Sequence, residues 1–138
     1  MDLEECKRKG FIRLTKKNNE LAKSLIEVSD IKETAIKNAE LNEVNISAYV
    51  PMAYDSLRET LEAICIMNGY KVTSHVCVDK LLNSIYKDFS FNDFDRFRYI
   101  RNSINYYGEK VGFKEGKDII DKIFLLRKRY LKILGELL

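Results

Sequence analysis

The sequence is poor in the residues that build most metal and nucleophile centres. It has a single histidine, His75, and three cysteines with no C-x-x-C pair among them. One histidine excludes a histidine-based metal site within one chain. An odd, scattered set of cysteines argues against a Cys-based zinc site and against a disulfide framework. Cys65 lies in the apolar run Ala63-Ile64-Cys65-Ile66-Met67 and reads as a small buried hydrophobe. Cys77 is two residues from His75, and residues at that spacing do not share a helix face, so no local Cys/His nucleophile pair is expected. Free thiols point to a reducing compartment, and the expected location is the cytoplasm.

Long apolar runs are lacking too. None approaches the ~20 residues that span a bilayer, so no membrane segment is expected. The stretch Met1-Asp2-Leu3-Glu4-Glu5-Cys6 is acidic and has no apolar signal core, so no secretory signal is expected there. One proline, six glycines and 46% hydrophobic residues exclude a collagen-like or disordered chain. No Gly-rich phosphate loop, G-x-S-x-G elbow, H-E-x-x-H helix or EF-hand pattern occurs. No cofactor and no metal are expected.

The 138 residues (16.2 kDa) suit one domain, 1–138, with one sizeable core. Net charge is +3 but unevenly spread: +3 over residues 1–24, −6 over 25–95 and +6 over 96–138. A basic last third can attract a polyanion by counterion release. It can equally be a solvated helix face with Lys and Arg in its last turns.

Hydrophobic spacing predicts helices throughout and no strand. A short first helix covers 2–9 and ends at Gly10. Thr15 offers an N-cap for a helix over 16–43, with Leu21, Leu25, Val28, Ala35 and Ala39 as its apolar positions. Asn45-Ile46-Ser47 opens a third helix, with Pro51 near its start. Ala53, Leu57, Leu61, Ile64 and Met67 form its stripe, and Gly69 is its C-cap. Ser74 caps a fourth helix carrying Val78, Leu81, Leu82 and Ile85. After a break at Asp88-Phe89-Ser90, a fifth helix starts at Asn92 or Asp93 and runs to about Val111. A loop over Gly112 to Gly116 precedes a last helix, 117–137. Short connections favour antiparallel neighbours, so the expected fold is an all-α, up-and-down helical bundle.

The fifth helix carries the chemistry. On a helical wheel Phe97, Ile100, Ile104 and Val111 can meet a core, while Arg98, Arg101, Asn102, Asn105 and Tyr106 form a neighbouring polar stripe. Arg96, Arg98 and Arg101 are permanent cations whose forked donors match phosphate oxygens. Asn102 and Asn105 add amides; Tyr106 and Tyr107 add phenols that can hydrogen-bond or stack on bases. Gly108 costs about 1 kcal/mol against Ala inside a helix, so it marks an end or a close approach.

The run Arg101-Asn102-x-x-x-Tyr106-Tyr107-Gly108, preceded by Arg98, resembles the signature helix of HEPN domains. Ala53-Tyr54-Asp55-Ser56-Leu57-Arg58-Glu59, Gly69-Tyr70-Lys71 and Ser74-His75 resemble the middle helices of archaeal-type members. The resemblance spans roughly residues 15–138. It implies a small helical bundle, a homodimer with signature helices facing each other, and RNA or nucleotide as ligand. Many such domains are metal-independent ribonucleases or toxins paired with a nucleotidyltransferase; others are non-catalytic binding modules. By this resemblance Arg101 holds a scissile phosphate, Asn102 orients it, and Arg98, Asn105 and Tyr107 add RNA contacts. The family motif carries a histidine four to six residues after the arginine. Here those positions hold Tyr106, Tyr107 and Gly108, so Tyr106 stands where the histidine is expected. A tyrosine, with an ordinary pKa near 10, is a poor base at pH 7 but a serviceable hydrogen-bond donor.

Each candidate has a plainer alternative. Arg101 and Asn102 can contact phosphate, or Arg101 can pair with Asp55 or Glu59. Tyr106 and Tyr107 can serve the site or pack at an interface. His75 can be a displaced base or an ordinary packing residue of a first turn. Asp55, Glu59 and Glu62 can bind a cation, but partnering Arg58 or Arg101 is favoured. Arg127-Lys128-Arg129 can track phosphates, but a solvated C-terminal face is favoured. A helical interaction scaffold without nucleic-acid binding is the remaining reading.

Overall fold

The computed structural model describes residues 1–89 and 91–138, with Phe91 described by its backbone alone. Six helices and one small ribbon follow in the order α1 (Leu3–Arg8), β1 (Ile12–Leu14), α2 (Asn19–Lys37), α3 (Ile46–Met67), β2 (Tyr70–Val72), α4 (His75–Ile85), α5 (Phe91–Tyr107) and α6 (Phe113–Leu137). The fold is an all-α helical bundle, as the apolar spacing predicts. No helix among the described residues is long and apolar enough to cross a membrane.

The centre of the bundle is α3, which packs against α2, α4, α5, α6 and β2. It is covered on most sides and buries Ala53, Tyr54, Leu57, Leu61, Ile64 and Met67, with its charged residues Asp55, Arg58, Glu59 and Glu62 held in ion pairs. Opposite it, α6 buries Ile119, Ile120, Ile123, Tyr130 and Leu134. Pro51 lies in the second turn of α3, and the helix runs on through it. The only backbone bond a proline removes there is the one to the Ser47 carbonyl.

Four local expectations need correction. The chain contains a ribbon: β1 pairs antiparallel with β2, with Ile12 opposite Val72 and Leu14 opposite Tyr70. Three-residue strands are too short to show an alternation in sequence. The ribbon also displaces the expected cap of α2. The Thr15 N–H donates to the Gly69 carbonyl at 2.8 Å, and Asn18 caps instead, its side chain accepting from the Leu21 N–H at 3.0 Å. Gly69, at φ +85°, makes the left-handed turn from α3 into β2. Next, α2 ends at Lys37 rather than 43. Asn42 and Asn45 accept backbone N–H bonds with their side chains at 2.9–3.0 Å, which holds that segment out of the helix. Lastly, α5 stops at Tyr107 while α6 begins at Phe113, inside the expected loop. Of the expected break at Asp88-Phe89-Ser90, Ser90 lies outside the described residues.

A disulfide joins Cys6 and Cys77, with Cα atoms 5.9 Å apart. This overturns the expectation of unpaired thiols, and with it the ground for a reducing compartment. The two cysteines are 71 residues apart. The ribbon brings α1 beside the first turn of α4, a proximity that sequence spacing does not reveal. Cys65 is free and buried, as expected.

Arg127 is a second correction of this kind. It is fully buried, not part of a solvated face. Its Nε donates to Ser29 Oγ (2.6 Å) and Thr60 Oγ1 (3.1 Å), Nη1 to Glu33 (2.9 Å) and Nη2 to Asp30 (2.6 Å). This network joins α6 to α2 and α3. It also turns α2: the buried residues are Ala22, Ser29 and Ile36, whereas Leu21 and Val28 of the expected stripe are exposed.

Candidate functional site

The first half of α5 is anchored and its second half is open. Phe94 and Phe97 are buried, while from Arg98 to Tyr107 every residue is at least half-exposed or intermediate. Ile100 and Ile104 lean on the core without being enclosed by it. The helix ends where Gly108 takes φ +66° and the Glu109 N–H donates to the Ser103 carbonyl at 3.1 Å. Open space surrounds Gly108, so this glycine serves the helix end and not a close approach.

The three arginines of the helix have different fates. Arg98 donates to Asp79 at 3.2 Å and also to Asp95, and Asp79 is fully buried. Arg98 therefore ties α5 to α4 and is not a free phosphate contact. Burial raises the Asp79 carboxyl to about 6, with Arg98 pulling the other way. Arg96 is exposed. Arg101 is half-buried, and no carboxylate lies within ion-pairing distance of it among the described residues. Its Nη1 donates to Asn102 Oδ1 and to the Tyr106 hydroxyl, each at 3.1 Å. Its guanidinium sits 5.5 Å from the Tyr106 ring centre and 5.7 Å from that of Tyr54. Its Nε is buried with no acceptor.

The carboxylates expected near Arg101 are used elsewhere. Arg58 pairs with Glu62 at 2.8 Å and lies 3.7 Å from Asp55. Glu59 pairs with Lys32. No group of three or more His, Cys, Asp or Glu among the described residues could hold a metal ion.

Thus Arg101, Asn102 and Tyr106 come together as one hydrogen-bonded unit. Asn105 and Tyr107 are exposed beside it, and Arg98 is turned away. Two more residues join the site: Tyr54, quoted for resemblance but given no role, and His75, weighed as a displaced base or a packing residue. Tyr54 is fully buried, its hydroxyl has no partner, and burial raises its pKa against the opposing arginines. His75, first residue of α4, sets its ring 6.0 Å from that of Tyr54. Burial lowers the His75 imidazole to about 4. The positive charges of Arg58, Arg101 and Arg98 act in the same direction, and Asp55 opposes them. At pH 7 His75 is neutral. No spacing in the sequence signals this pairing, because the approach depends on how α4 and α5 meet α3.

No protein-family model matches the chain, and no curated protein matches it.

Proposed function

We propose that the protein is an RNA-directed, HEPN-like homodimer in which Arg101 contacts a phosphodiester. One observation carries the reading: a half-buried guanidinium is held in place by Asn102 and Tyr106, and among the described residues no carboxylate lies within ion-pairing distance of it. Leaving such a cation unpaired is costly unless an anion completes it. The Tyr106 hydroxyl accepts from Arg101, which leaves its own proton free to donate to a phosphate oxygen. The basic last third supplies the long-range attraction. A second copy set against the half-covered Ile100 and Ile104 shoulder would complete the dimer.

A second reading adds metal-independent cleavage, as in a toxin. The observation that favours it is His75, whose ring lies 6.0 Å from that of Tyr54, the ring that the Arg101 guanidinium also faces at 5.7 Å; this sets a general-base type of side chain beside the site. Without cleavage, the same site suits a non-catalytic RNA- or nucleotide-binding module or the partner of a nucleotidyltransferase.

The test is binding of a labelled single-stranded RNA by fluorescence anisotropy across a salt series, with mass from light scattering. Arg101→Ala should weaken binding by roughly tenfold, the size of a charge-assisted hydrogen bond. The slope of log affinity against log salt should fall by about 0.7, one phosphate contact on a single strand. Incubation with chelator present then reads cleavage. A wild type that binds no RNA at low salt refutes the proposal.

A further inference from the structure

α5 carries three large rings on the side away from the core. Tyr99 is 72% exposed, Tyr106 67% and Tyr107 79%. At about 100° per residue they share a sector roughly 100° wide with Arg96 and Ser103. No aliphatic residue lies in that sector. Rings this open on one stretch of helix are not core side chains.

We infer that this outer face of α5 is a stacking platform for single-stranded RNA, with Tyr99, Tyr106 and Tyr107 each offering a ring to a base. The inference rests on the RNA reading above and names the form of RNA taken. Tyr99 and Tyr106 are separated by about 10.5 Å along the helix axis. That is about three times the ~3.4 Å rise between neighbouring bases of a strand. Tyr106 has the Arg101 guanidinium over its ring, so a phosphate at Arg101 places the adjoining nucleotide beside the Tyr106 ring. Arg96 is exposed on this face, and among the described residues it has no carboxylate within ion-pairing distance. It gives the face a charge that suits a phosphate backbone. A duplex keeps its base faces stacked inside and has none to offer, whereas a single strand does.

The experiment compares a labelled oligoadenylate, an abasic oligomer of equal length and a duplex of equal length, by anisotropy with wild type, Tyr99→Ala and Tyr99→Phe. Tyr99→Ala should weaken oligoadenylate binding by about tenfold, the effect of one lost stack. It should leave abasic binding and the salt slope unchanged, and Tyr99→Phe should bind as wild type does. Unchanged oligoadenylate binding by Tyr99→Ala overturns the platform while leaving the Arg101 reading intact. So does a duplex that binds as tightly as the single strand. A loss of mass by light scattering in Tyr99→Ala overturns it too, by assigning the face to a protein contact. A wild type that binds none of the three oligomers overturns both readings.

Discussion

Arg127→Ala should be among the most destabilising single substitutions in the chain. The side chain is fully enclosed, and truncating a long buried side chain to Ala costs about 2–5 kcal/mol in lost burial and residual cavity. Its hydrogen-bond partners soften the loss. Ser29 and Thr60 each still donate to the Ser56 carbonyl, at 2.6 and 3.0 Å. The Asp30 side chain is 57% exposed and that of Glu33 21%, so water can take over most of what the guanidinium gave. The orphaned-group penalty is therefore small and the cavity dominates, for a total of about 4 kcal/mol. Arg127→Met fills most of the space and also removes the cost of desolvating a cation. It should lose only about 1–2 kcal/mol. At roughly 3–4 °C per kcal/mol for a chain of this length, the expected drops in Tm are about 14 °C and 5 °C. Urea melts with unchanged slopes would place both changes in the folded state. If Met is as damaging as Ala, or if Ala lies within about 1 kcal/mol of wild type, the packing argument is wrong.

Replacing Cys6 and Cys77 together by Ser should cost about 4 kcal/mol, since the bridge closes a loop of 71 residues; melts with and without reductant check this. Gly116→Ala would set a Cβ 2.5 Å from Ile46 Cγ1. About 1–3 kcal/mol of overpacking should outweigh the roughly 1 kcal/mol gained in helix propensity, read as a lower Tm. The pH dependence has two opposing parts. His75 is lowered to about 4 in the fold, so its contribution is full above its unfolded value near 6.5 and is lost as pH falls toward 4. Asp79 is raised to about 6, so its contribution is full below about 4 and is lost as pH rises through 6. Urea melts at pH 4.5 and pH 7 should show His75→Gln gaining relative stability in acid and Asp79→Asn losing it; changes of the same sign in both would contradict the assignment.

The helices were legible because apolar residues recur at helical spacing over long stretches, most plainly in α3 and α6. The caps were less so. Thr15 and Asn18 are both good N-caps, and the ribbon, invisible in sequence, decides between them. The spacing of Ile120, Ile123, Tyr130 and Leu134 runs straight through position 127, so a buried arginine there could be read from the pattern. Its charge, flanked by Lys128 and Arg129, argued the other way. The Arg101–Asn102–Tyr106 unit could be anticipated because all three lie within two turns of one helix. The diversion of Arg98 into Asp79 depends on how α4 meets α5, and no spacing within α5 encodes that.

The open second half of α5 has a kinetic consequence. Only one side of the helix is covered there, by the contacts of Ile100, Arg101 and Ile104, so the turns from Tyr99 to Tyr107 should open by local fraying at a fraction of the free energy of global unfolding. Amide exchange should therefore rise stepwise along a single helix, slow through Phe97 and fast beyond it. Arg101 sits on the fast side. Any ligand it holds would stiffen the turns that present it, and part of the binding energy would go into that ordering.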